Sequence, residues 1–156
     1  MERLVKTLKE KKLTISSCES LTGGMFASEI VSVSGASSVF KGSFVTYMDE
    51  CKEKLLDGKE ILDKHGAISE EMAYQMASVV KAKLDTNIAV SFTGNAGPLA
   101  SENKEVGLVY SCIIINDLIL NYKDVYSGNI SEIREKCILD AIKRILENLQ
   151  KNWTIV

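Results

Sequence analysis

Apolar positions along the chain alternate between two periods, and the switches divide it into helices and strands. Leu4, Val5 and Leu8 share one face of the charged opening "MERLVKTLKEKK", after which "LTISSC" turns to a short apolar strand. Past Gly23-Gly24, the segment "MFASEIVSV" places Phe26, Ala27, Ile30 and Val31 at the spacing of a helix packed on a sheet, with "GASS" ending it. "FKGSFVTYM" (40–48) is aromatic and β-branched, a second strand, and is followed by a charged helix over "DECKEKLLD" that stops at Gly58. Ser69 is placed to cap "SEEMAYQMASVVKAKL", in which Met72, Ala73, Met76, Ala77, Val80 and Leu84 form a core-filling stripe.

The second half continues the alternation. "NIAVSFTG" (87–94) is almost continuously apolar, as a strand buried on both faces requires, and a polar, glycine-bearing loop "NAGPLASENKEVG" follows. "LVYSCIII" and "LILNYKDVY" flank Asn116-Asp117 and predict an antiparallel hairpin at one side of the sheet. Asn129 and Glu132 have capping-box spacing before a last helix whose Ile133, Cys137, Ile138, Ala141, Ile142, Ile145 and Leu149 make one face. No repeat or linker interrupts the pattern. The fold class expected is α/β: a single layered domain over residues 1–156, with a mixed sheet flanked by helices.

Charge and composition narrow the function. The 19 basic and 21 acidic residues nearly cancel, and no basic run exceeds "KEKK", so a nucleic-acid or acidic-membrane partner has no electrostatic footprint and a small ligand is favoured. No stretch approaches the roughly 18 apolar residues of a membrane span, and the first residues lack the apolar core of a secretory signal. A cytoplasmic protein is the expectation. Cys18, Cys51, Cys112 and Cys137 show no CxxC pairing and suit reduced thiols, and with one histidine in the chain a zinc site is not expected.

Two loops after strand-like segments carry the candidate chemistry, "ESLTGG" and "TGNAGP". Such loops lie at the carboxyl ends of strands, where ligands gather in open α/β sheets. A helix starting at Thr22 or Gly23 would direct unpaired N–H groups at an anion; equally, Gly23-Gly24 would serve close packing of a helix on the sheet. Ser20 is a possible nucleophile that needs a base. His65, in "KHGAIS", reads as a helix-end residue, which leaves lysine or tyrosine as proton acceptors, and "TYMDECK" offers Tyr47 and Lys52. Cys18 would share a strand face with Ser20 and reads as core.

Four blocks in order resemble the CinA C-terminal domain family, the nicotinamide-nucleotide amidases also called PncC: Glu19 to Gly24, the segment from Gly42 through Tyr47 to Lys52, Gly66 to Glu70, and Thr93 to Pro98. The resemblance implies a metal-free, cofactor-free, self-associating three-layer α/β domain that hydrolyses the carboxamide of nicotinamide mononucleotide to nicotinate mononucleotide and ammonia, in pyridine-nucleotide recycling. It implies Ser20 as nucleophile, Lys52 as base and Tyr47 as relay or orienting group. Glu19, Thr22, Gly23, Gly24, Thr93, Gly94, Ala96 and Gly97 would hold the nucleotide or the oxyanion. The chain departs from the family pattern at Glu105, where a proline is usual, at Asn95, where an apolar residue is common, and at Ile130, where many members have an arginine; Arg134 stands one turn further on. A member that had lost the reaction would remain a nucleotide-binding or partner-binding module.

Overall fold

The computed structural model describes residues 1–151, so the last five residues of the expected domain lie outside the described part. Its elements are α1 (Glu2–Lys11), β1 (Ile15–Glu19), α2 (Met25–Val31), a 3-10 turn (Ala36–Ser38), β2 (Phe40–Val45), α3 (Asp49–Leu56), α4 (Lys59–His65), α5 (Glu70–Leu84), β3 (Ile88–Gly94), β4 (Leu108–Ile115), β5 (Leu118–Val125) and α6 (Ile130–Lys151). The sheet order is β2-β1-β3-β4-β5, with β1 parallel to β2 and β3, and β4 antiparallel to both its neighbours. The layered α/β domain with a mixed sheet that periodicity predicts is formed, in the three layers that the resemblance implies.

Strand alternation assigns each layer its core. Ile15 of β1 and Ile88, Val90 and Phe92 of β3 face α1, α2 and α6; Cys18 and Ala89 face α3 and α5. Along β1, Ser17 and Glu19 therefore point toward α2, while Cys18 and Ser20 share the α3 side. Two predicted caps form: Ser69 Oγ accepts from Met72 N at 3.1 Å, while Asn129 Oδ1 accepts from Glu132 N at 2.9 Å and Glu132 Oε1 from Asn129 N at 3.1 Å. All four cysteines are free thiols, and burial pushes Cys18 up to about 12, consistent with a core residue rather than a nucleophile.

Three expectations are adjusted. β2 ends at Val45 rather than residue 48, because the chain turns at Thr46–Met48 to start α3. Charged "DECKEKLLD" closes at Leu56 with Asp57 left-handed (φ 52°), and the separate helix α4 begins directly after Gly58, where a Cβ would stand 2.9 Å from the Lys52 carbonyl. Val31 is exposed, since Phe26 and Ile30, four apart, already make the buried stripe of a seven-residue helix.

Candidate active site

Ser20 follows the last residue of β1, with its amide held by the Phe92 carbonyl of β3 at 3.0 Å. Lys52 reaches it from α3. This lysine looks solvated in a charged segment, yet it is 1% exposed, lying with Leu56 on the face of α3 turned to the sheet. Its Nζ is 2.9 Å from Ser20 Oγ, 2.7 Å from the Thr46 carbonyl and 3.0 Å from the Tyr47 carbonyl. An ammonium fills all three contacts as donor. A neutral amine donates two N–H bonds to the two carbonyls, and its remaining tetrahedral direction, the lone pair, then faces the serine hydroxyl.

Burial supplies the tendency toward that neutral form. Loss of hydration lowers the Lys52 pKa from its ordinary 10.5; Asp49 opposes this most strongly, with smaller opposing contributions from Cys18, Cys51 and Glu102. The pair thus has both requirements of an activated hydroxyl, contact and a base of reduced proton affinity.

Tyr47, expected as a relay or orienting group, meets the pair through its backbone. The residue is 71% exposed, and its phenol makes no hydrogen bond to Ser20 or Lys52; its carbonyl is the group that orients Nζ. The reason is the backbone turn after β2, which directs successive carbonyls inward and the side chain outward.

Glu19 is likewise not a ligand-facing residue. It is fully buried, and its carboxylate accepts from Phe26 N (2.9 Å), Ala27 N (3.1 Å) and Thr22 Oγ1 (2.9 Å), with Ser17 and Ser43 hydroxyls at 3.1 and 3.2 Å. The positive end of α2 is thereby neutralised by the chain's own anion. This corrects the open phosphate cradle expected at Thr22–Gly24: the helix amides are engaged, the Thr22 hydroxyl is bound to Glu19, and neither Thr22 nor Gly24 lines the cavity.

That cavity, about 730 Å³, opens over Ser20 and Lys52. Of the residues expected to hold the nucleotide, Gly23, Thr93, Gly94, Ala96 and Gly97 line it. Gly94 is needed there for close packing, because a Cβ would stand 2.5 Å from the Leu108 carbonyl. The Thr93 hydroxyl donates to the Ala67 carbonyl at 2.7 Å, so its role is to fix the turn before α5. The N–H groups of Leu21 and Ala96, both cavity residues, make no hydrogen bond among the described residues.

Two features escaped sequence reasoning. Glu102, from the loop between β3 and β4, accepts from Ala67 N and Ile68 N at 2.9 Å each, and Lys104 bonds the Ile68 carbonyl, so this loop is strapped to the turn before α5 and forms one wall. A polar "SENK" stretch carries no local sign of a partner 34 residues away. Arg134, noted only as standing beyond Ile130, projects to the cavity from α6 and donates from one Nη to the Thr22 carbonyl at 2.7 Å, while its buried Nε has no partner. No cluster of three or more metal-ligating side chains occurs among the described residues, and no described helix is long and apolar enough to cross a membrane.

Comparison with known proteins places this arrangement in a family. The sequence model described as CinA C-terminal domain matches residues 1–149. Among curated relatives, a CinA-like protein of Petrotoga mobilis is 43% identical over 152 residues, 96% of this chain and 38% of the relative. A putative competence-damage inducible protein of Oceanobacillus iheyensis is 41% identical over 94% of this chain and 36% of its own length. The chain thus spans little more than a third of these relatives. Among solved structures, a CinA superfamily protein from Klebsiella pneumoniae superposes with a TM-score of 0.93 at 23% identity, covering 96% of this chain and 95% of that one, a likeness of fold. A competence/damage inducible protein from Agrobacterium tumefaciens gives 0.88 at 33% identity, covering 93% and 90%. With its sequence matched almost from end to end and its fold shared, the chain belongs to the CinA C-terminal domain family.

Proposed function

We propose that the protein is an amidase that deamidates nicotinamide mononucleotide to nicotinate mononucleotide and ammonia through an acyl-enzyme on Ser20. The observation that carries this reading is the buried Lys52 Nζ, 2.9 Å from Ser20 Oγ and fixed by two carbonyls. Family membership and the resemblance of the four motif blocks support the substrate; the cavity volume lies within the range of small-molecule sites, about 300–1,000 Å³.

In the proposed reaction Ser20 Oγ attacks the carboxamide carbon as its proton passes to neutral Lys52. Negative charge developing on the amide oxygen is met by the free N–H groups of Leu21, the residue after the nucleophile, and Ala96. The Lys52 ammonium then protonates the departing nitrogen, the C–N bond breaks, ammonia leaves and a Ser20 ester remains. Water attacks that ester, giving its proton to Lys52; the acid is released, and the proton returns to Ser20. No step needs a redox partner.

Arg134 is the cation available for the substrate's phosphate in place of the occupied α2 terminus. Arg134→Ala should raise KM for nicotinamide mononucleotide about 10-fold or more with a smaller change in kcat, since a charge-assisted contact is worth about 1.5–3 kcal/mol. The KM for nicotinamide riboside, which lacks the phosphate, should change far less. The reading itself is tested by ammonia release from nicotinamide mononucleotide by the wild-type protein. Turnover supports it, and folded protein that releases no ammonia refutes it.

A further inference from the structure

We propose that Tyr47 and Asp49 form a subsite for an organic cation beside the Ser20–Lys52 pair, selecting amides carried on a positively charged ring. This rests on the amidase reading for its reaction but not for its binding chemistry.

Two of the charged groups lining the cavity are already engaged. Lys52 is engaged by two carbonyls and Ser20, and Glu102 by the amides of Ala67 and Ile68. Asp49 is the other carboxylate lining the cavity. It makes no hydrogen bond or ion pair among the described residues. As the first residue of α3 it lies three positions before Lys52, and side chains at that spacing share a helix face. Its influence on Lys52 is the strongest of any charged group. Asp49 thus leaves an unpaired carboxylate in the cavity that a ligand reaching Ser20 would enter.

The Tyr47 ring supplies the second element. It lines the same cavity two residues before Asp49, is mostly exposed, and makes no ring contact with a cation or another aromatic residue among the described residues. An open aromatic ring and a carboxylate lining one cavity favour a flat or quaternary cation, because the ring's negative face and the carboxylate attract the same charge. A cationic ring is also compatible with the reactive, neutral form of Lys52, whereas the ammonium form repels it. At the start of α3, Asp49 also complements the helix dipole; that role is indifferent to the charge of a ligand.

The test uses two probes with the same ring and carboxamide that differ in charge, 1-methylnicotinamide and nicotinamide, titrated into the full chain carrying Ser20→Ala to prevent hydrolysis. Binding is followed by ligand-detected NMR or calorimetry. The expected result is a preference of about 3–10-fold for the cation, lost in Ser20→Ala/Asp49→Asn, retained in Ser20→Ala/Asp49→Glu, and reduced in Ser20→Ala/Tyr47→Leu. Circular dichroism checks that each variant is folded, and the glutamate variant separates loss of charge from loss of structure. Absence of the cation preference, or its survival in Asp49→Asn, overturns the proposal. Normal hydrolysis of nicotinamide mononucleotide without the preference refutes the subsite alone; the Asp49-dependent preference without hydrolysis refutes the amidase reading alone.

Discussion

Lys52→Met should lower kcat for amide hydrolysis by about 10²–10⁴-fold, the range typical for loss of a positioned acid–base group. The substitution keeps most of the buried volume while removing the nitrogen that faces Ser20 Oγ at 2.9 Å. Ser20→Ala should be at least as damaging, and the double variant no slower than the worse single one, because nucleophile and base act as a unit. In the wild type, kcat/KM should rise with pH until Lys52 is neutral, at a value below 10.5, and that limb should disappear in Lys52→Met. A wild-type rate flat from mildly acidic to mildly alkaline pH would remove Lys52 from the mechanism.

The same lysine ties stability to pH. Its folded pKa lies below the ordinary 10.5, so between the two values the unfolded chain binds more protons than the folded one, and stability rises with pH across that window. Below the folded value the full cost of the buried charge is present; above 10.5 it is gone. The difference in unfolding free energy between wild type and Lys52→Met should shift in favour of the wild type as pH rises through this window. Urea unfolding at several pH values measures it.

Glu19→Ala should destabilise the fold by about 3–5 kcal/mol, since orphaned buried donors cost about 1–3 kcal/mol each and the substitution strands Phe26 N and Ala27 N together with the Thr22 hydroxyl. Glu19→Gln keeps one oxygen for Thr22 and Phe26 but turns an NH2 group toward Ala27 N, so about half that loss is expected. Denaturant unfolding distinguishes these outcomes. A loss below about 0.5 kcal/mol for the alanine variant, the range of ordinary surface substitutions, would show that water replaces the carboxylate at little cost.

Legibility in the sequence followed the range of each interaction. Periods of two and 3.6 predicted the helices and strands, and the Ser69 and Asn129–Glu132 caps were readable because their partners are three residues apart. Ser20 and Lys52 were readable as residue types, but their contact spans 32 positions and depends on β1, β2 and α3 docking on one another. The Gly23-Gly24 loop allowed two readings, an anion site or close packing, because local sequence does not say whether the anion at a helix terminus comes from a ligand or from the preceding strand. Tyr47 was assigned through its phenol, whereas what reaches Lys52 is a carbonyl that any residue could supply. The Glu102–Lys104 strap joins two loops through backbone amides, a partnership no side-chain motif records.

The internal carboxylate of Glu19 also bears on competition from simple salts. A helix pole left bare attracts orthophosphate and sulfate whatever else is present, and an enzyme built on one is inhibited by both. Here that pole is already occupied by the Glu19 side chain, so such oxyanions lose their usual foothold next to Ser20. Under the proposed function, discrimination among phosphorylated compounds passes instead to the Arg134 guanidinium at the cavity, where the rest of the molecule has to fit as well.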